Sequence, residues 1–301
     1  MSNCNQKITH KRSMLRKPDW LKIKLHNNEE FSKVSEIVNS NSLHTICSSG
    51  KCPNMAECWG RGTATFMIMG DICTRKCKFC ATKTGVPQFL DENEPEKLAR
   101  SIKLMKLKHA VVTSVDRDDL SDGGAGHWAK CVNAVKDLTP ETTLELLIPD
   151  FDATKSFLDV VVASKPDIIG HNIETVRRLT PSVRSRAKYD TSLEVLRYLA
   201  SQGVRVKSGI MVGLGETKDE IFETLDDLRA FGCDIITIGQ YLQPTLEQLP
   251  VERYVTPEEF EEYKIYAYEI GFSYAECGPL VRSSYMAENA LKKTKLNLRN
   301  I

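Results

Sequence analysis

Short apolar runs alternate with longer amphipathic stretches six times along this chain, at a spacing of about 30 residues. The runs have the length and composition of β-strands, and the stretches have the period of α-helices. The predicted strands are 65–69, 110–113, 144–148, 167–169, 204–211 and 235–238. The predicted helices are 95–106, 127–138, 154–164, 192–201, 217–231 and 257–270, the last capped by Thr256. Repeated units of this kind predict a parallel sheet with both faces covered by helices.

Two α/β architectures fit this alternation, namely an open doubly wound sheet and a full or partial barrel. The spacing of the units does not choose between them. Both architectures bind ligands at the carboxyl ends of their parallel strands, so the residues that follow each predicted strand are the first candidates for a functional site.

The size and charge of the chain exclude several classes of protein. Its 301 residues are enough for one large α/β domain with appendages. Its formal net charge of +1 favours neither nucleic acid nor an anionic membrane as a partner. No apolar run approaches the roughly 20 residues that cross a bilayer. The basic N-terminus lacks the apolar stretch of a secretory signal and is short for a transit peptide, so we expect a cytoplasmic protein.

Ten cysteines are present, and six of them lie between residues 47 and 80. In a reducing compartment, clustered cysteines indicate metal ligands rather than disulfides. Cys73, Cys77 and Cys80 form a C-x3-C-x2-C loop directly after the first predicted strand. Three thiolates on a cube of four irons leave one iron open to a substrate or cofactor. Structural zinc is the alternative, but it needs four ligands, and no fourth Cys or His is close in sequence.

A second triplet, Cys47, Cys52 and Cys58, precedes the first predicted strand with the spacing C-x4-C-x5-C. These three thiolates within twelve residues predict a second cluster. Zinc stays open here as well, although the spacing is unusual for zinc.

The C-x3-C-x2-C loop has an aromatic residue, Phe79, before its last cysteine and lies at the start of the repeated strand–helix units. In both respects it resembles the radical S-adenosylmethionine (SAM) superfamily. The resemblance implies a partial (β/α)6 barrel whose mouth is closed by N- and C-terminal extensions. It also implies that the open iron binds SAM, and that an electron from the cluster splits SAM into a 5′-deoxyadenosyl radical. Such a radical removes hydrogen from unactivated carbon, which no side-chain acid or base can do.

Residues 45–80 as a whole resemble the lipoyl synthase family of that superfamily. In that family the second triplet, Cys47, Cys52 and Cys58 here, holds an auxiliary 4Fe–4S cluster that is dismantled to supply sulfur. Its fourth ligand is the second serine of an Arg-Ser-Ser-Tyr motif, which is Ser284 rather than Ser283 here. The implied cofactors are therefore SAM and two 4Fe–4S clusters. The implied catalytic residues are Cys73, Cys77, Cys80 and Ser284, and the implied metal ligands are these four with Cys47, Cys52 and Cys58.

The same resemblance implies a substrate and partners. The substrate is an octanoyl-lysine on a lipoyl carrier domain, such as a 2-oxo acid dehydrogenase E2 subunit or the glycine cleavage H protein. Two sulfur atoms enter at carbons 6 and 8. A reduced ferredoxin or flavodoxin would donate electrons, an iron–sulfur carrier would rebuild the auxiliary cluster, and neither nucleic acid nor a membrane is expected. The alternatives are another radical SAM sulfur-inserting enzyme and, from a different class, a non-catalytic iron–sulfur or zinc-binding protein.

Eight residues are candidate contacts of SAM or substrate because they lie beside the cysteines or near predicted strand ends. They are Phe79, Ser114, Asp116, Glu145, Asn172, Lys207, Gly209 and Met211. Residues 207–216 resemble the superfamily's G-x-I-x-G-x-x-E element, with Met211 where isoleucine is usual. For Asn172 and Glu145, a helix cap or a core hydrogen bond is the competing interpretation.

The predicted organisation has three parts. Residues 1–62 form an N-terminal extension with the auxiliary-cluster cysteines, residues 63–275 form the barrel, and residues 276–301 form a C-terminal extension with the Arg-Ser-Ser-Tyr motif.

Overall fold

The computed structural model describes residues 15–22 and 29–291. Residues 1–14 and 23–28 of the predicted N-terminal extension and residues 292–301 of the predicted C-terminal extension lie outside the described residues. Its strands are β1 (His44–Thr45), β2 (Thr65–Ile68), β3 (Ile72–Cys73), β4 (Lys83–Thr84), β5 (His109–Ser114), β6 (Thr143–Leu147), β7 (Ile168–Gly170), β8 (Val206–Val212), β9 (Ile235–Gln240) and β10 (Tyr274–Gly278). Its helices are α1 (Glu29–Ser40), α2 (Ile46–Ser49), α3 (Met55–Gly60), α4 (Glu94–Leu104), α5 (Ala125–Leu138), α6 (Lys155–Ala163), α7 (Thr180–Val183), α8 (Tyr189–Ser201), α9 (Lys218–Ala230) and α10 (Pro257–Glu269). Short 3-10 turns lie at Asp19–Leu21 and Phe151–Ala153.

The main sheet has eight strands in the order β1-β2-β5-β6-β7-β8-β9-β10. All neighbours are parallel except β1, which pairs with β2 in the antiparallel direction. After β1 the spatial order follows the chain without a reversal, whereas a doubly wound sheet reverses at its switch point. No pairing joins the two edges of the sheet within the described residues. The fold is therefore a partial barrel of six strand–helix units, as predicted.

All six predicted strands and all six predicted helices are present, with ends within three residues of the predicted ones. The predicted cap of α10 is confirmed, because the Thr256 side chain accepts a hydrogen bond from the Glu259 amide in a capping box. The seventh parallel strand, β10, was not predicted. Only the first two of its residues are buried, so its sequence lacks the apolar run of a central strand. It extends to Gly278 and thus crosses the predicted boundary at residue 275.

The barrel interior contains a buried ionic group rather than a wholly apolar core. The Nζ atom of Lys207 donates to Oε1 of Glu145 at 2.6 Å, and both side chains are 3% exposed. Nε2 of His109 lies 3.7 Å from Oε2 of the same carboxylate. Burial would raise the pKa of Glu145, but the charge of Lys207 and the His109 contact hold it below its ordinary value. The glutamate is therefore ionised and depends on its cationic partner.

We expect Lys207→Met to destabilise the fold by about 3–5 kcal/mol, because it leaves an unpaired buried carboxylate. Urea unfolding at neutral pH measures this loss, and the matched double variant Lys207→Met/Glu145→Leu should recover most of it. Because the folded pKa of Glu145 is lowered, the contribution of the pair is present above the unfolded pKa of about 4.3 and is lost as the pH falls through the folded value. A single variant with the parental urea midpoint would contradict a stabilising role for the pair.

Within the described residues, no helix combines the length and apolar character that crossing a membrane requires.

Candidate active site

A cavity of about 420 Å³ opens at the carboxyl ends of the parallel strands. Both cysteine triplets contribute to its lining, one through Cys47 and Cys52 and the other through Cys80. A smaller cavity of about 50 Å³ lies beside it and is lined by Cys47, Cys52, Cys58 and Ser284. The fold thus brings the two triplets to one space, which the sequence alone did not require.

The first triplet begins on the short strand β3 and continues into the loop that follows it. The Cys73 sulfur accepts hydrogen bonds from the amides of Arg75 at 3.4 Å and Asp116 at 3.3 Å. The Cys80 sulfur accepts one from the amide of Thr82 at 3.4 Å. Burial nevertheless raises the pKa of Cys73 to about 12 and raises the pKa of Cys80. The backbone is thus arranged to receive thiolates, but a bound cation is needed to ionise them.

The second triplet lies on two short helices and the turn between them. Cys47 belongs to α2 and Cys58 to α3, and the amide of Cys52 donates to the carbonyl of Cys47 at 2.9 Å. Burial and the charges of Cys47 and Cys52 raise the pKa of Cys58 to about 12. Because Cys47 and Cys52 both act on the pKa of Cys58, the three sulfur atoms are close enough to share one cationic group.

The spacing of the sulfur atoms distinguishes between the two kinds of metal site. Among the described residues, the only three candidate ligand atoms within 4.8 Å of one another belong to Glu94, His127 and Cys131, and to neither triplet. Sulfur atoms on one tetrahedral zinc ion, each about 2.3 Å from it, would lie within that limit. The triplets therefore fit a larger group such as an iron–sulfur cube better than a single ion.

Side-chain hydrogen bonds join residues near the end of the described chain to residues that lie between or beside the cysteines of the second triplet. Asn54 donates to the carbonyl of Leu280 at 2.6 Å, and the Tyr285 hydroxyl donates to Glu57 at 3.1 Å. Ser284 accepts a hydrogen bond from the Thr65 hydroxyl at 2.7 Å.

Ser284 and Ser283 differ in the cavities that they line. Ser284 lines the smaller cavity together with all three cysteines, whereas Ser283 lines only the larger cavity. The geometry thus favours Ser284 as the residue that meets the second triplet.

Behind the first triplet, one buried arginine joins several carboxylates. Arg75, whose side chain is 5% exposed, lies 2.8 Å from Asp118, 2.8 Å from Asp150 and 3.4 Å from Asp116. Burial raises the pKa of Asp116, an effect that Arg75 opposes. Because the Asp116 amide donates to Cys73, this network fixes the first cysteine of the loop.

The eight candidate contacts separate into two groups in the structure. The four that line the larger cavity are Phe79, Asn172, Gly209 and Met211. A Cβ atom at Gly209 would lie 2.8 Å from Oδ1 of Asn172 and 2.9 Å from Oγ1 of Thr237, so only glycine keeps this part of the cavity wall open.

The other four candidates do not line that cavity, and their role as contacts of SAM or substrate stays a prediction. Glu145 and Lys207 point into the barrel interior, where they pair with each other. Asp116 contacts Cys73 and Arg75 instead. The Ser114 hydroxyl is buried and has no hydrogen-bond partner in the described structure. Alternation along a strand predicts which face a residue occupies, but not how deep in the barrel it lies.

Gln240 and Arg282 are among the lining residues that the sequence reasoning missed. Gln240, the last residue of β9, donates to the carbonyl of Arg253 at 3.1 Å and accepts from the amide of Val255 at 2.8 Å. Its place at a strand end was the signal that could have found it. Arg282 lines both cavities, and its place two residues before Ser284 was the corresponding signal.

Comparison with known proteins first identifies the superfamily to which the chain belongs. The family model of the radical SAM superfamily matches residues 67–228. The fold is similar to that of Streptococcus suis SuiB bound to S-adenosylmethionine, with a TM-score of 0.57 and 13% identity. That likeness covers 75% of this chain and 55% of the SuiB chain. The chain belongs to the radical SAM superfamily, whose cofactors are SAM and a 4Fe–4S cluster.

The lipoyl synthase of Bacteroides thetaiotaomicron is 60% identical over 278 residues, which are 92% of this chain and 99% of that protein. The lipoyl synthase of Parabacteroides distasonis is 60% identical over 274 residues, 91% of this chain and 98% of that protein. Within the superfamily, the chain belongs to the lipoyl synthase family. It is therefore an enzyme of radical SAM sulfur insertion.

Proposed function

We propose that this chain converts a protein-bound octanoyl-lysine into a lipoyl-lysine by inserting sulfur at carbons 6 and 8, with an auxiliary cluster as the sulfur source. The observation that carries the proposal is that Cys47, Cys52 and Cys80 line one cavity. A carbon radical is short-lived in water, so its formation and its capture by sulfur must happen in the same enclosed space. An electron carrier would not need its two triplets to face one cavity.

In this proposal Cys73, Cys77 and Cys80 hold the cluster that binds SAM, and this pair of cofactors supplies the hydrogen-abstracting radical. The amides of Arg75, Asp116 and Thr82 orient two of the sulfur atoms. They also stabilise the thiolate form, which is the form that binds iron.

Cys47, Cys52, Cys58 and Ser284 hold the auxiliary cluster. Support comes from the small cavity that these four residues share. The Thr65 hydroxyl orients the Ser284 oxygen. A serine oxygen is a hard ligand among soft thiolates, so its bond to iron is the weakest point of such a site.

SAM and the acyl chain share the larger cavity. We assign Phe79, Asn172, Gly209 and Met211 to SAM, because they line the same cavity as Cys80. Asp116 acts as a positioning residue for Cys73 through its amide.

The finer partner assignments are part of the same proposal. The acyl chain arrives on a carrier domain of a 2-oxo acid dehydrogenase E2 subunit or of the glycine cleavage H protein. A reduced ferredoxin or flavodoxin supplies electrons, an iron–sulfur carrier rebuilds the auxiliary cluster, and the reaction takes place in the cytoplasm.

The deciding experiment is mass spectrometry of an octanoylated carrier peptide after anaerobic incubation with the reconstituted chain, SAM and a reductant. We expect a product that has gained two sulfur atoms, and no change without SAM or with a peptide that lacks the octanoyl group. A product with a single sulfur at completion, or an unchanged peptide beside formed 5′-deoxyadenosine, would contradict the proposal.

A further inference from the structure

Arg282 is an arginine that lines both cavities. Among the described residues, no carboxylate oxygen lies within 4.0 Å of its guanidinium, and its Nη1 donates to the carbonyl of Val281 at 2.6 Å. Two buried arginines elsewhere are paired, Arg75 with three aspartates and Arg117 with Asp119 at 2.8 Å. Arginine stays charged in proteins, so a largely enclosed guanidinium without an acid requires another anion.

The second cysteine triplet shares the smaller cavity with this guanidinium. Arg282 lines the smaller cavity with Cys47, Cys52, Cys58 and Ser284, and no cysteine of the first triplet lines that cavity. This shared lining places the guanidinium beside the proposed site of the auxiliary cluster.

The position of Arg282 is set by the sheet. A Cβ atom at Gly239 of β9 would lie 2.0 Å from the carbonyl oxygen of Val281 and 3.5 Å from Nη1 of Arg282. This glycine therefore lets the backbone of residues 281–282 pack directly on the strand. The guanidinium is therefore held at a fixed distance from the cysteines.

We propose that Arg282 is the counter-ion of the auxiliary cluster. The inference rests on the proposed function, because it requires a cluster on Cys47, Cys52, Cys58 and Ser284. A 4Fe–4S core of charge +2 with four singly negative ligands carries a net charge of about −2. A guanidinium beside it offsets part of that charge, so its removal should loosen the cluster and lower its reduction potential. Residues 282–284 thus supply both the serine oxygen ligand and the compensating cation.

The test uses the full chain in a Cys77→Ala background, in which the auxiliary cluster is the one expected to remain. Arg282→Gln and Arg282→Lys are compared with Arg61→Gln. Arg61 lines the same small cavity but lies 3.0 Å from Glu288, so it serves as a matched control. Iron release to a chelator and the midpoint of an electron paramagnetic resonance redox titration are measured, and circular dichroism checks the fold.

We expect Arg282→Gln to release iron on the order of tenfold faster and to have a lower midpoint, because a buried anion has lost its partner. Arg282→Lys keeps the charge and should stay near the parental midpoint, as should Arg61→Gln. If Arg282→Gln is too unstable to purify, a parental midpoint in Arg282→Lys supports the proposal and a lowered one overturns it.

Parental iron release and midpoint in Arg282→Gln would overturn the proposal. The proposal would also be overturned if Arg282→Gln kept the auxiliary cluster in the Cys77→Ala background and weakened SAM binding in a Cys52→Ala background, because the guanidinium would then pair with the SAM carboxylate. If the Cys77→Ala parent itself holds no iron, the second cluster does not exist, and the proposed function fails together with the inference.

Discussion

Replacing Cys77 with alanine is expected to abolish SAM cleavage and to leave about four of about eight irons per chain. Cys77 is half-buried, and its sulfur lies 3.5 Å from the Ser185 hydroxyl, so its removal disturbs little packing. No remaining side chain can deliver the electron that splits SAM, and we expect 5′-deoxyadenosine formation to fall by at least about three orders of magnitude. Iron analysis and chromatography of 5′-deoxyadenosine measure the two quantities.

The control for this variant is Cys233→Ala, which removes a fully buried thiol that belongs to neither triplet. It should keep both clusters and the parental rate of SAM cleavage. Substantial 5′-deoxyadenosine formation by the Cys77→Ala chain would show that the two triplets have been assigned the wrong way round.

Replacing Cys52 with alanine is expected to have the reciprocal effect. The first triplet stays intact, so 5′-deoxyadenosine formation should remain within about twofold of the parental rate, while the sulfur-containing product disappears. Cys52 lines both cavities, and the loss of its thiolate would remove one of three soft ligands from the proposed auxiliary cluster. The ratio of lipoyl product to 5′-deoxyadenosine is the measurement, because it separates radical formation from sulfur transfer.

Cys277→Ala is the matched control for Cys52→Ala, since Cys277 lies on β10 and belongs to neither triplet. It should give the parental ratio. A Cys52→Ala chain that still forms lipoyl product at the parental ratio would mean that sulfur comes from another source.

The sequence by itself determined the features that depend on neighbouring residues. The six strand–helix units follow from local periodicity, and the capping box at Thr256 needs only a side chain and an amide three residues away. The two triplets are likewise local, because each lies within twelve residues. Ligands that are close in sequence are close in any fold.

Only the tertiary structure decided the relations between distant residues. Thr65 and Ser284 are 219 residues apart and are joined by one hydrogen bond. Glu145 and Lys207, which were expected to contact SAM, pair in the interior because strand register sets the depth of a side chain in the barrel. The proposed role of Arg282 depends on the absence, among the described residues, of a carboxylate within 4.0 Å of its guanidinium. Periodicity encodes the face on which a residue lies, whereas its partner across the sheet is set by the packing of the whole chain.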